Sequence, residues 1–226
     1  MFKSIIGIIN LLCMKDEHIT IYQLKMEVYK LSTLIHKTCI VTGPANESGR
    51  WTSWHPVESS ATMLNVDGSN FGNPDISDFG GVLRRHDGSW IYGFGGNIGI
   101  SSILQAELLA IYHGLRVAWD QGYQHLICYS DSTLAIQLVN TEVNPWHLFA
   151  PIISNIKDLM ARDWNFQLNH TWREANATTD FMAKMGDSCN EAWQEFLEPL
   201  GGILPLLQDD ALRVQFARRR SIFASL

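Results

Sequence analysis

The sequence predicts an α/β protein: a mixed sheet with helices on its faces. Three observations predict it. Strand-length apolar segments come first, at Met63–Ser69 and within Phe79–Gly96. A strongly periodic helix, Leu104–Gly122, follows them. Strand-length and helix-length segments then alternate to about residue 186. The connection from strand through helix to the next strand is expected to be right-handed.

The elements can be justified in order. In residues 1–45, Ile21, Leu24, Val28, Leu31, Leu34 and Ile35 fall at steps of three and four, one apolar helical stripe. TGPANESGR, Thr42–Arg50, is turn-rich and reads as a linker. In LNVDGSN, Leu64–Val66 reads as strand and Gly68-Ser69 as a turn, with Asp67 between them. FGGVLRRHDGSWIYGFGG reads as a hairpin closed by Asp87-Gly88, a favoured two-residue turn pair. In the long helix Leu108, Ile111, Leu115 and Ala118 keep the period, and Gly122 is a natural stop. His125–Ser130 is a strand running into Asp131, and STLAIQLVN is a short helix. Leu148–Ala161 is a further helix with Pro151 in its first turn. WNFQLNHTW alternates as a strand, and REANATTDFMAKMG reads as a helix ending at Gly186. A helix is expected near Asn190–Leu197, and ALRVQFARRR is a basic, mildly amphipathic end.

Composition bounds the function. The chain has 226 residues, 46% of them apolar, with eight Trp, which fits a packed core rather than disorder. A chain of this size buries roughly 70% of its unfolded surface. The net charge of −6 argues against wrapping duplex nucleic acid through bulk positive charge, and it suits clustered carboxylates that need a cation. Cys13, Cys39, Cys128 and Cys189 show no metal-ligand spacing and read as reduced, buried thiols. IIGIINLLCM is too short to span a membrane, and no membrane partner is expected.

Four acids stand at junctions where the elements are otherwise apolar. Asp67 and Asp131 end strands, Glu107 lies in the first turn of the long helix, and Asp180 lies in the last one. Strand-end acids on neighbouring parallel strands project from one sheet edge, the edge where ligands bind in open α/β sheets. Carboxylates converging there need a counter-charge. Mg²⁺ with oxygen ligands supplies one, and two ions roughly 3.5–4 Å apart can activate water and stabilise a leaving phosphodiester oxygen. The bland alternative is capping: either Ser130 or Asp131 could cap the helix that follows.

This constellation resembles the type 1 ribonuclease H family, and more closely the plant ribonuclease-H-like domains related to non-LTR retrotransposon reverse transcriptases. The matching segments are LNVDGS, FGGVLRRHDGSW, AELLAIYHGLRVAWDQG, YSDST and HTWREANATTDFMAK, within residues 50–186. The resemblance implies a ribonuclease-H-like fold with a five-stranded mixed sheet, beside the helical N-terminal extension. It implies that Asp67, Glu107, Asp131 and Asp180 are catalytic and hold two Mg²⁺ ions, with Mn²⁺ as a substitute, and that His170 assists proton transfer or product release. It implies metal-dependent cleavage of the RNA strand of an RNA–DNA hybrid, leaving 3′-hydroxyl and 5′-phosphate ends.

Substrate contacts are expected from Gly68 and Ser69 through their amides, and from Arg173 and Asn176, with Asn176 also a candidate helix cap. SSILQAE puts Ile103 and Leu104 where relatives carry polar residues. Only 49 positions separate Asp131 from Asp180, which leaves no room for a basic helical handle. These departures, with the acidic charge, keep a second reading open: a retroelement-derived nucleic-acid-binding domain with weak or no catalysis. Residues 1–49 are expected to be the helical extension and linker, 50–188 the ribonuclease-H-like domain and 189–226 a tail. A monomer inside the cell, in nucleus or cytoplasm, is expected.

Overall fold

The structure is a computed structural model and describes residues 51–54, 60–71, 76–189 and 191–217. The chain divides into units Met1–Glu47 and Ser48–Leu226, and all described residues belong to the second. The helical reading of residues 1–49, with the apolar run inside it, lies outside the described residues.

The strands are β1 (Trp51–Thr52), β2 (Thr62–Phe71), β3 (Ile76–Arg84), β4 (Trp90–Ile100), β5 (His125–Ser130), β6 (Asn165–His170), β7 (Gln194–Phe196) and β8 (Phe216–Ala217). The helices are α1 (Ile103–Asp120), α2 (Thr133–Asn140), α3 (Ala150–Met160), α4 (Ala177–Cys189) and α5 (Leu204–Ala211). The main sheet has the order β6-β5-β2-β3-β4-β7, and β1 pairs with β8 separately. β2, β5 and β6 run parallel to one another, and β3, β4 and β7 add antiparallel neighbours, so the sheet is mixed as expected. Six strands replace the expected five.

The hairpin forms where Asp87-Gly88 predicts it, but its loop has three residues. The Gly88 amide donates to the Arg85 carbonyl at 2.9 Å, and Arg85 N–H reaches Ser89 O at 2.9 Å. Gly88 takes φ +89°, the positive value that a glycine tolerates at the end of such a loop.

α1 packs on β2 and β3, and one apolar cluster joins Leu64, Val66 and Phe79 of the sheet to Leu108, Ile111 and Leu115 of α1. Each such buried side chain contributes about 1.5–3 kcal/mol. α4 packs on β2, β3 and β4. Cys128 is buried and free, as its spacing suggests. No described helix is long and apolar enough to cross a membrane.

The C-terminal segment corrects the sequence reading. The segment expected as a helix near Asn190–Leu197 contains strand β7, which pairs Gln194–Phe196 with Gly93–Gly95. Trp193 stacks on Phe94, centroids 5.4 Å apart, so an aromatic contact and a free sheet edge outweigh local helical propensity. The expected tail, as far as it is described, belongs to the domain: α5 places Asp210 against Arg84 of β3 at 2.6 Å.

Candidate metal centre

Register puts the first two acids together. β2 stays paired with β5 up to Val66 opposite Ser130, and with β3 as far as Phe71 opposite Ile76. Asp67 and Asp131 are therefore the next residues on two neighbouring parallel strands, just past the point where their mutual pairing ends. Gly68-Ser69, expected as a turn, continues β2 opposite Phe79 and Asp78. The capping alternative for Asp131 also resolves. Ser132 is the N-cap of α2 and accepts from the Ala135 amide at 3.3 Å, which leaves the Asp131 carboxylate for other work.

Glu107 reaches the same place from α1. Ser102 caps that helix, so Glu107 stands just beyond its first turn, on the face that packs against β2. Gly68 makes the approach possible: a Cβ there would lie 2.6 Å from the Glu107 backbone nitrogen and 2.9 Å from Ala106. The Gly68 amide also donates to the Glu107 carboxylate. Gly68 thus positions an acid. Carboxylate oxygens of Asp67, Glu107 and Asp131 lie within 4.8 Å of one another.

Asp180 is placed differently. Its Oδ1 accepts from Arg173 Nη2 at 3.3 Å, and its Oδ2 accepts from Lys184 one turn further along α4. Among the described residues, the acids whose oxygens cluster at metal-holding separation are Asp67, Glu107 and Asp131, without Asp180. Asp180 is still near enough to act on Asp67 and Asp131 through charge. Lys184 carried no signal in the sequence reading. Its spacing of four from Asp180 on a predicted helix was the signal available.

Asn176 is buried, and both ends of its amide are used. Its Oδ1 accepts from Asn65 Nδ2 at 3.1 Å, and its Nδ2 donates to the Val66 carbonyl at 3.1 Å. Its backbone carbonyl receives the Thr179 and Asp180 amides, each at 3.0 Å, which opens α4. The residue caps through its main chain while its side chain ties α4 to β2 beside Asp67. His170 is exposed at the end of β6, opposite Ser130, with its ring edge-on to Trp172 at 5.1 Å.

The electrostatics follow from burial. Burial, then the charges of Asp131, Glu107 and Asp180, hold the Asp67 carboxyl well above the usual range, with Arg173 opposing. Burial, then Asp131, pushes Glu107 up to about 8, opposed by the Gly68 amide and by Arg173. Burial also raises Asp131, with Arg173 as the largest opposing influence. Raised carboxyls bind protons more tightly folded than unfolded, so their stabilisation is present at low pH and lost as pH rises toward about 8.

The metal-free protein should therefore lose melting temperature between about pH 7 and about pH 8.5, by up to about 1.4 kcal/mol per pH unit for each proton released. His113, held down to about 4 by burial, is neutral across that window and does not interfere. Thermal unfolding in chelator checks this; a flat profile contradicts it, and Mg²⁺ should flatten a sloping one.

The residues present fit a divalent ion. Asp67 Oδ2 and Glu107 Oε2 are buried and have no hydrogen-bond partner, which is costly unless a cation takes them. A set of carboxylate oxygens matches Mg²⁺ or Mn²⁺.

A profile of the family described as "Reverse transcriptase-like" matches residues 65–186, more than half of the chain. The chain belongs to the reverse-transcriptase-like family. The stretch of this reverse-transcriptase-like chain that matches runs from β2 to α4 and contains all four acids. An Arabidopsis thaliana protein named "Putative ribonuclease H protein" is 31% identical over 179 residues, 79% of this chain. This chain spans 28% of that relative's length. The ribonuclease H1 of the archaeon Halobacterium salinarum is similar in structure, with TM-score 0.50 at 25% identity, covering 56% of this chain and 96% of that one. The N-terminal ribonuclease H domain of rv2228c from Mycobacterium tuberculosis aligns with TM-score 0.51 at 21% identity, covering 57% and 94%. The domain is ribonuclease-H-like in fold.

Proposed function

We propose that the chain is a divalent-metal-dependent endonuclease that cleaves the RNA strand of RNA–DNA hybrids. The observation that carries this reading is the convergence of Asp67, Glu107 and Asp131, two of them with partnerless buried oxygens, at one sheet edge. The names of the Arabidopsis relative and of the archaeal structure support the same chemistry. Asp67, Glu107 and Asp131 hold the metal, with Asp180 as the fourth acid. When bound, two such ions supply an activated water and charge stabilisation at the leaving oxygen.

The chain's own residues do the rest. Gly68 and Asn176 hold Glu107 and β2 in place. Arg173 offers a guanidinium to the phosphate, for which its planar fork is suited. His170, exposed at the same edge, carries a proton to or from the leaving group. Ser69 contacts the substrate from β2. The chain acts as a monomer inside the cell.

One observation favours a second reading, a nucleic-acid-binding domain without catalysis. Asp180 is ion-paired outside the acid cluster, and the head of α1 presents Ile103, an apolar side chain 46% exposed. Strand-labelled hybrid incubated with the full chain separates the two readings. The first expects shortening of the RNA strand alone in Mg²⁺ or Mn²⁺, none in chelator and none with Asp131→Asn. Intact RNA after treatment with folded protein and either ion, with the hybrid retained by the protein, supports the second.

A further inference from the structure

The four acids are not equivalent. Asp67 and Glu107 each present a buried oxygen without a partner. Asp180 presents none: one oxygen faces Arg173, and the other faces Lys184. The two cations come from different elements, Arg173 from the turn that precedes α4 and Lys184 from α4 itself. Both are largely open to solvent, with side-chain exposures of 71% and 51%, whereas the Asp180 side chain is 15% exposed. Exposed cations on long side chains exchange partners readily, because each pair is weak and each head group can return to water. Arg173 also lies close enough to act by charge on Asp67, Glu107 and Asp131.

We propose that Arg173 and Lys184 are tethered counter-cations of Asp180, so that the free chain offers a divalent ion three acids, and Asp180 becomes a ligand only when these two side chains leave it. The anion that draws them off is a backbone phosphate of the nucleic acid, for which both head groups are natural partners. Occupancy of a second ion site and phosphate binding are then coupled, each favouring the other. Arg173 and Lys184 are positioning residues in this device, since they act through Asp180. The inference rests on the metal-dependent reading above.

The test is a Mn²⁺ titration of the full chain, followed by calorimetry and by the spin-resonance signal of free Mn²⁺. The parent should bind one ion well and a second much more weakly. Arg173→Met with Lys184→Met should tighten the second ion by roughly five- to tenfold, and by more than it tightens the first, on whose three acids Arg173 also acts by charge. Adding Asp180→Asn should remove the gain. Lys184→Met alone, at an exposed helix position, should give part of the effect in a folded protein. A second affinity that is unchanged or weaker in the double variant overturns the inference while leaving the metal centre standing. Two equal ions on the parent overturn it as well. A parent that binds no Mn²⁺ overturns both this inference and the reading on which it rests.

Discussion

Replacing Asp67 by Asn should abolish cleavage of the RNA strand and, in the same protein, raise the melting temperature of the metal-free domain. The two effects have one cause. Asp67 is 3% exposed, and three other acids act on it, Asp131 most strongly. Its charge is tolerated at a cost, because only a cation can use the oxygens there. An amide of the same shape keeps the packing and removes the repulsion. The gain should grow as pH rises above the ordinary aspartate range, since there the unfolded parent ionises while burial and neighbouring acids resist ionisation in the folded one, and it should vanish below about pH 4, where Asp67 is neutral in both states. The Asn variant should melt clearly higher than the parent at about pH 8, and by a smaller margin at about pH 5. Activity should fall by at least about 10³-fold, as expected when preorganised charge stabilisation is lost. Melting curves in chelator at two pH values, with the hybrid assay beside them, test the pair. A destabilised Asn variant, or one that still cuts, contradicts the assignment of Asp67.

Replacing Asp210 by Ala should destabilise the domain by about 3–5 kcal/mol, the cost of a buried charge that loses its partner. Arg84 has 0% exposure and donates to Asp210 Oδ2 at 2.6 Å. The Thr178 hydroxyl of α4 donates to the same oxygen at 2.8 Å, and the Trp54 ring lies 5.4 Å from the guanidinium. One carboxylate therefore ties α5 to β3 and to α4. Burial holds the Asp210 carboxyl above its usual range in spite of Arg84, so the pair as a whole is no great source of stability. Paired replacement, Arg84→Met with Asp210→Leu, should accordingly recover most of the loss. Denaturant unfolding of the three variants decides it, and near-additive losses in the pair contradict the account. Any fragment that stops near residue 190 also strands Arg84, so assays of the site need the full chain.

Much of the fold was legible because its signals are local. The period of α1, the Asp87-Gly88 turn and the alternation of β6 need no partner to be recognised. The acids were legible for a related reason: a charged residue closing an apolar run stands out against its neighbours. β7 was not legible. Nothing in Gln194–Phe196 by itself marks a strand; the open edge of β4 and the stacking of Trp193 on Phe94 make it one. The same holds for the C-terminal segment, where Asp210 reads as an ordinary surface acid until Arg84, 126 residues away, is seen buried against it.

The candidate site divides along the same line. The sequence alone singled out the four candidate acids, because Asp67, Glu107, Asp131 and Asp180 follow from residue type and position relative to each element. Only the tertiary structure decided how they are disposed. It brought three acids within reach of one ion and committed the fourth to Arg173 and Lys184. It also showed Gly68 against Glu107 and the Asn176 side chain tied to β2. Residue type is a local property, whereas the distance between charges depends on register, helix approach and burial, and no short stretch of the chain encodes those.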